Sequence, residues 1–179
     1  MKNSIAVVAA SFLFLIVASC TSQRDKEIKA ITGLEKQLEK EGARPDPAAL
    51  KKLLEMYTGF VDANPADTLA QDYLYKAINL SIGVNNGTMA MQLIDRTLND
   101  FRQSKYLPET VFLKAYVYEN LLGNLGQAAT VNNDFIVRYP GHDLADDAAA
   151  ALKYLGKSPE ELVKEFEAMN SGAGEQASN

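Results

Sequence analysis

This sequence has little of what most chemistry needs. It contains one cysteine, Cys20, one histidine, His142, and no tryptophan. A lone cysteine excludes an internal disulfide framework, so stability has to come from a packed core. A lone histidine excludes a His cluster for zinc and offers no Ser–His–Asp set. Positive charge is also short: 18 Lys and Arg against 23 Asp and Glu give a formal net charge of −5. That balance argues against nucleic acid, which demands clustered Lys and Arg, and against an electrostatic grip on anionic lipid. Period-two alternation is missing over any useful length, which excludes a sheet-built core. Gly123-Asn124-Leu125-Gly126 is no phosphate cradle, because no strand pattern precedes it and no Lys-Ser/Thr follows. Asp143, Asp146 and Asp147 lack the glycine and distal glutamate of a calcium loop, and helix-start electrostatics explains them more simply. The expectation is a non-enzyme with no catalytic residue, no metal, no cofactor and no small-molecule substrate.

What the sequence does have begins at its N-terminus. Lys2 is the only charge before Cys20, Ile5 to Val17 is an almost unbroken apolar run, and small Ala18 and Ser19 precede the cysteine. A positive start, a short apolar centre and a small-residue exit describe a secretory leader. The run falls short of the roughly 20 apolar residues that a spanning helix needs. Val17-Ala18-Ser19-Cys20 resembles the lipobox of bacterial lipoproteins. That resemblance implies that Cys20 is lipidated, becomes the mature N-terminus and carries two or three acyl chains. One chain anchors only marginally at about 0.8 kcal/mol per buried methylene, whereas two or three hold effectively for good. It also rules out Cys20 as a nucleophile partnered by His142. Thr21 in place of an aspartate favours the outer membrane, on its periplasmic or its surface side. The expected segments are a signal peptide over 1–19, a lipidated tether over 20–26, a helical domain over 27–169 and a flexible tail over 170–179. Loss of Lys2 with the leader takes the net charge from −5 to −6. The remaining chain suits one domain, burying roughly 68–70% of its unfolded surface.

The chain repeats itself. Asn64-Pro65-Ala66-Asp67-Thr68-Leu69-Ala70-Gln71-Asp72 returns 75 residues later as Tyr139-Pro140-Gly141-His142-Asp143-Leu144-Ala145-Asp146-Asp147. Leu107-Pro108-Glu109-Thr110 lies halfway between. Leu74-Tyr75-Lys76-Ala77 is echoed 38 residues on by Phe112-Leu113-Lys114-Ala115. Units of about 37 residues belong to the size class of helix-pair repeats.

Between the prolines the apolar residues recur at helical spacing. Ile28, Ile31, Leu34 and Leu38 form one stripe, and Leu50, Leu53, Leu54, Tyr57 and Val61 another. Leu69, Tyr73, Ala77 and Leu80 follow, then Met91, Ile94, Leu98 and Phe101. Phe112, Ala115, Tyr116 and Leu122 precede Ala128, Val131, Phe135 and Tyr139, with shorter stripes around Leu152 and Leu162. The fold class is all-α, with about seven or eight helices after the leader. Asp46, Asp67 and Asp143 stand where carboxylates serve free backbone N–H groups. Ser158-Pro159-Glu160-Glu161 predicts a capping box. Asp67-Thr68-Leu69 resembles an O-glycosylation motif of exported Bacteroidetes proteins, and reads equally well as a helix cap.

These residues resemble tetratricopeptide-repeat lipoproteins of the Bacteroidetes-like outer membrane. Counting back from Pro140, Gly123 and Ala128 fall on small turn and helix-crossing positions, Phe112 on the aromatic between helices, and Phe135 on the second helix's inner face. Glu119 stands where the family usually has an aromatic, and Asn124-Leu125 replaces the usual acidic-aromatic turn. The resemblance implies a right-handed superhelix of antiparallel helix pairs, acting as a lipid-anchored scaffold or adaptor for a protein or peptide partner in the cell envelope. Its groove would be lined by Thr110, Leu113, Val117, Asn120 and Leu121, and in the preceding unit by Gln71, Tyr75 and Asn79. Tyr73, Tyr75, Tyr106, Tyr116, Tyr118 and Tyr139 are either interface anchors or core. Two other readings compete. Ile28, Ile31, Leu34 and Leu38 would pair between chains in a short coiled-coil structural lipoprotein, or an Asp or Glu in a cleft would serve a hydrolase.

Overall fold

The computed structural model describes residues 23–42 and 45–176. The leader over 1–19 and Cys20 with its proposed acylation lie outside the described residues. Eight helices and no strand occur among the described residues. They are α1 (23–41), α2 (Pro47–Ala63), α3 (Thr68–Gly83), α4 (Gly87–Asp100), α5 (Leu107–Asn120), α6 (Leu125–Arg138), α7 (Ala145–Tyr154) and α8 (Pro159–Gln176). The fold is all-α. It divides into two compact units, one ending at Val84 and the other starting at Asn85, where the sequence had suggested a single domain.

Helix starts follow from short polar side chains. Asp46 accepts from the Ala48 amide at 3.0 Å with Pro47 opening α2, and Asp67 accepts from the Leu69 amide at 2.9 Å. Asn86 and Asn124 cap α4 and α6 in the same way. Asn124, a departure from the repeat family's turn, is therefore a working cap. Ser158 and Glu161 close a reciprocal box, the Glu161 carboxylate taking the Ser158 amide at 2.7 Å and the Ser158 hydroxyl taking the Glu161 amide at 3.2 Å. Asp143 does not cap α7; His142 Nδ1 accepts from the Leu144 amide at 3.2 Å instead. Two boundaries differ from expectation. Helix α1 starts at Gln23, inside the segment read as tether, and α8 runs to Gln176, well into the segment read as a tail.

In the first unit, side chains set the directions of the helices. The Asn64 amide at the end of α2 donates to Glu27 near the start of α1 at 3.1 Å, and Tyr57 donates to Glu35 at 2.7 Å, so these helices run antiparallel. Arg24 pairs with Asp67 and Lys76 with Glu35, so α1 and α3 run parallel. Tyr57 and Tyr73 stack with ring centroids 5.5 Å apart, and Phe60 meets Tyr73 edge-on at 4.8 Å. Ile31 and Leu38 of α1 are buried with them.

The second unit is organised around Phe135 of α6. Its ring lies 5.9 Å from Phe112 of α5 and 5.3 Å from Tyr139, and it shares a core with Val111 and with Ala148 of α7. Ala128, on the expected helix-crossing position, is fully buried. Helix α5 closes at Gly123, whose φ of +63° lies in the left-handed region that favours glycine, while the Asn124 amide reaches back to the Tyr118 carbonyl at 2.7 Å. Two residues placed on the apolar stripe by their spacing, Tyr116 and Leu122, are instead 43% and 42% exposed.

Gly87 marks a close approach as well as a turn. A Cβ there would come within 2.8 Å of Leu121 Cβ and 3.1 Å of Leu122 Cδ2. Gly87→Ala is therefore expected to lower stability by about 1–3 kcal/mol through overpacking, outweighing alanine's better helix propensity. Chemical denaturation of the purified domain measures this, and a gain in stability would contradict the tight approach.

Candidate functional site

The residues expected to line a groove fall in two different units, so each set is described within its own. On α3, Gln71 and Tyr75 are half-buried and Asn79 is exposed. The Asn79 side-chain amide donates to the Tyr75 carbonyl at 2.9 Å, which leaves its oxygen outward for another donor. On α5, Leu113 and Leu121 are half-buried and Asn120 is exposed, its amide donating to the Tyr116 carbonyl at 3.1 Å. Thr110 and Val117 are both 0% exposed, so their side chains belong to the interior and offer nothing to a partner. They lie seven residues apart on one face of α5. Leu113 and Asn120, also seven apart, sit about 60° around the helix from that face. The α5 surface that a partner can reach is thus centred on Leu113, Tyr116 and Asn120.

The repeated tetrapeptide has a shared physical role. Lys76 of α3 pairs with Glu35 of α1 at 2.6 Å, and Lys114 of α5 pairs with Asp95 of α4 at 2.7 Å. The next residue in each copy, Ala77 or Ala115, is buried. In both units a lysine spans to another helix beside a small residue that lets backbones approach.

The densest polar network sits on α1. Glu35 accepts from the Tyr57 hydroxyl and from Lys76, whose ammonium lies 6.0 Å from the Tyr57 ring centroid and 5.6 Å from that of Tyr73. Burial, and then the Glu35 carboxylate, push the Tyr57 hydroxyl well above the usual phenol range, and Tyr73 moves the same way for the same reasons. Both stay protonated donors. Sequence reasoning missed this network, because nothing local links residues 35, 57 and 76.

Asp67 both caps α3 and holds Arg24 of α1. The Arg24 hydrogen bond, helped by the Leu69 amide, holds the Asp67 carboxyl below its ordinary range. A depressed carboxylate contributes stability above its unfolded value, near about 4, and loses it as pH falls through the folded value. Asp67→Asn keeps a cap-forming side chain but removes the charge. The variant should melt below the parent at neutral pH, with the gap closing as acid protonates Asp67 in the parent. Thermal melts from pH 7 to pH 2 test this; a constant gap would contradict it.

A cleft of about 240 Å³ in the first unit is lined by Glu27, Ile31, Met56, Gly59 and Phe60. Its carboxylate already accepts from Gln23 and Asn64, unlike the facing carboxylate pair of a glycosidase. His142 packs edge-on against Phe135 at 5.7 Å, and its Nδ1 accepts from the Leu144 amide in the turn before α7. Among the described residues, no three His, Cys, Asp or Glu side chains gather as a metal ion needs, and no helix is long and apolar enough to cross a membrane. No protein-family model matches the chain, and comparison with curated proteins gave no match.

Proposed function

We propose that this chain is a lipid-anchored scaffold of the bacterial cell envelope that holds a protein or peptide partner on tetratricopeptide-like helix pairs. The observation that carries the reading is the 38-residue echo, in which each copy sets a lysine that reaches another helix, Lys76 to α1 and Lys114 to α4, beside a buried alanine. Repeated helix pairs of this kind belong to a right-handed superhelix that presents the first helix of each pair to a ligand. The anchor is an acylated Cys20, and Thr21 directs the protein to the outer membrane. Binding is favoured over chemistry because the groups named on α3 and α5 are two amides, two aromatics and one aliphatic side chain: Asn79, Asn120, Tyr75, Tyr116 and Leu113.

The coiled-coil alternative loses its seam. Ile31 and Leu38 are buried within the chain's own first unit, so they are not free to pair between copies.

Photo-crosslinking amino acids at position 79 or 120, installed in the protein in native envelopes, test the reading. A discrete adduct from these positions is expected, with none from position 137 on α6, where Val137 is 80% exposed. No adduct from either α3 or α5, or equal adducts from all three positions, would overturn it.

A further inference from the structure

Resting on the reading that Cys20 is acylated, the contacts of α1 add an orientation. Two residues, Thr21 and Ser22, join Cys20 to Gln23 at the start of α1, and the three Cα-to-Cα steps reach at most about 11 Å. The first turns of α1 are pinned to the turn between α2 and α3. Arg24 engages both carboxylate oxygens of Asp67, and Glu27 accepts from Asn64 at 3.1 Å. Because α1 runs antiparallel to α2 and parallel to α3, one end of this unit collects the start of α1, the end of α2 and the start of α3. The other end, with residues 40–42 and the start of α2 at Pro47, lies a helix length away, about 26 Å for the 17 residues of α2. The acylated sulfur can reach the bilayer only close to the first end.

We infer that the α2–α3 turn is the face of the first unit held against the lipid surface, with the Arg24–Asp67 pair as the clasp that fixes it there. The chemistry at that end suits a lipid surface. Ala63, Pro65 and Ala66 are exposed, small and uncharged, so they approach headgroups without shedding a tightly held hydration shell, and the exposed Asp62 before them is the charge at that turn that keeps its water. Arg24 and Asp67 neutralise each other. A tether without the clasp would let the first turn of α1 fray and the domain swivel.

The full acylated chain, taken from envelopes and reconstituted in vesicles with nickel-chelating headgroups, tests this by spin-label relaxation. Labels go on Ala66→Cys and, in a separate protein, on Lys40→Cys, both exposed positions. The parent chain serves as a control: label uptake by it would mean a bare Cys20 thiol and the failure of the acylation reading. With that control clean, nickel relaxation should be severalfold stronger at position 66 than at position 40. Equal or reversed relaxation overturns the orientation. Adding Arg24→Ala should reduce the contrast, and an unchanged contrast overturns the clasp.

Discussion

Phe135→Ala is expected to cost the second unit about 3–5 kcal/mol, the range for emptying a buried aromatic site. The ring is fully buried and touches three other rings: Phe112 on α5, and Tyr139 and His142 in the connection from α6 to α7. Its loss removes apolar burial and leaves a cavity that these rings can only partly fill. Whole domains are stable by only about 5–15 kcal/mol, so the variant should sit near its unfolding threshold. Val137, two residues further along the same helix, is 80% exposed. Val137→Ala should stay within about 0.5 kcal/mol of the parent. Denaturant unfolding of the two variants side by side measures the contrast. Comparable losses would mean that the inner face of α6 has been misassigned.

Cys20→Ala is expected to move the protein from the membrane fraction to the soluble fraction of the envelope. The effect should be large because the described residues offer the membrane little else: none of their helices can span a bilayer, and the net charge of −5 gives anionic lipid no hold. Each acyl chain contributes about 0.8 kcal/mol per buried methylene, so removing two or three chains abolishes stable attachment. Fractionation at unchanged expression level measures it. Retention of Cys20→Ala on membranes at the parent's level, in a chain shown by its mass to have lost residues 1–19, would contradict acyl anchoring and point to an attachment through the folded units.

The fold was legible where local physics decides it. Proline and Asp pairs mark the openings of α2 and α3, and the Ser158–Glu161 box is readable as four letters. Periodicity found the helices because each must bury one stripe. It was less reliable about which residues are inside. Helix α3 touches both α1, through Lys76 and Glu35, and α2, through Tyr73 and Tyr57, so it also buries Leu74 and Ile78, beyond the single stripe expected. In α5 the opposite happened. Tyr116 adjoins buried Ala115 and Val117 in sequence, yet helical rotation turns its ring outward. Two of the eight residues expected along the groove are buried for a related reason. A proline count fixes the position along a helix to within a residue or two, and each residue turns the helix by 100°, enough to send Thr110 and Val117 into the core. The Glu35 network was out of reach, since its partners come from three helices and meet only after folding.

A lipid-anchored scaffold requires acyl chains on residue 20. Intact-mass measurement of the chain purified from bacterial envelopes should find it beginning at Cys20 and carrying the added mass of two or three acyl chains. A chain that keeps residues 1–19, or begins at Cys20 with an unmodified thiol, would contradict a lipid-anchored scaffold.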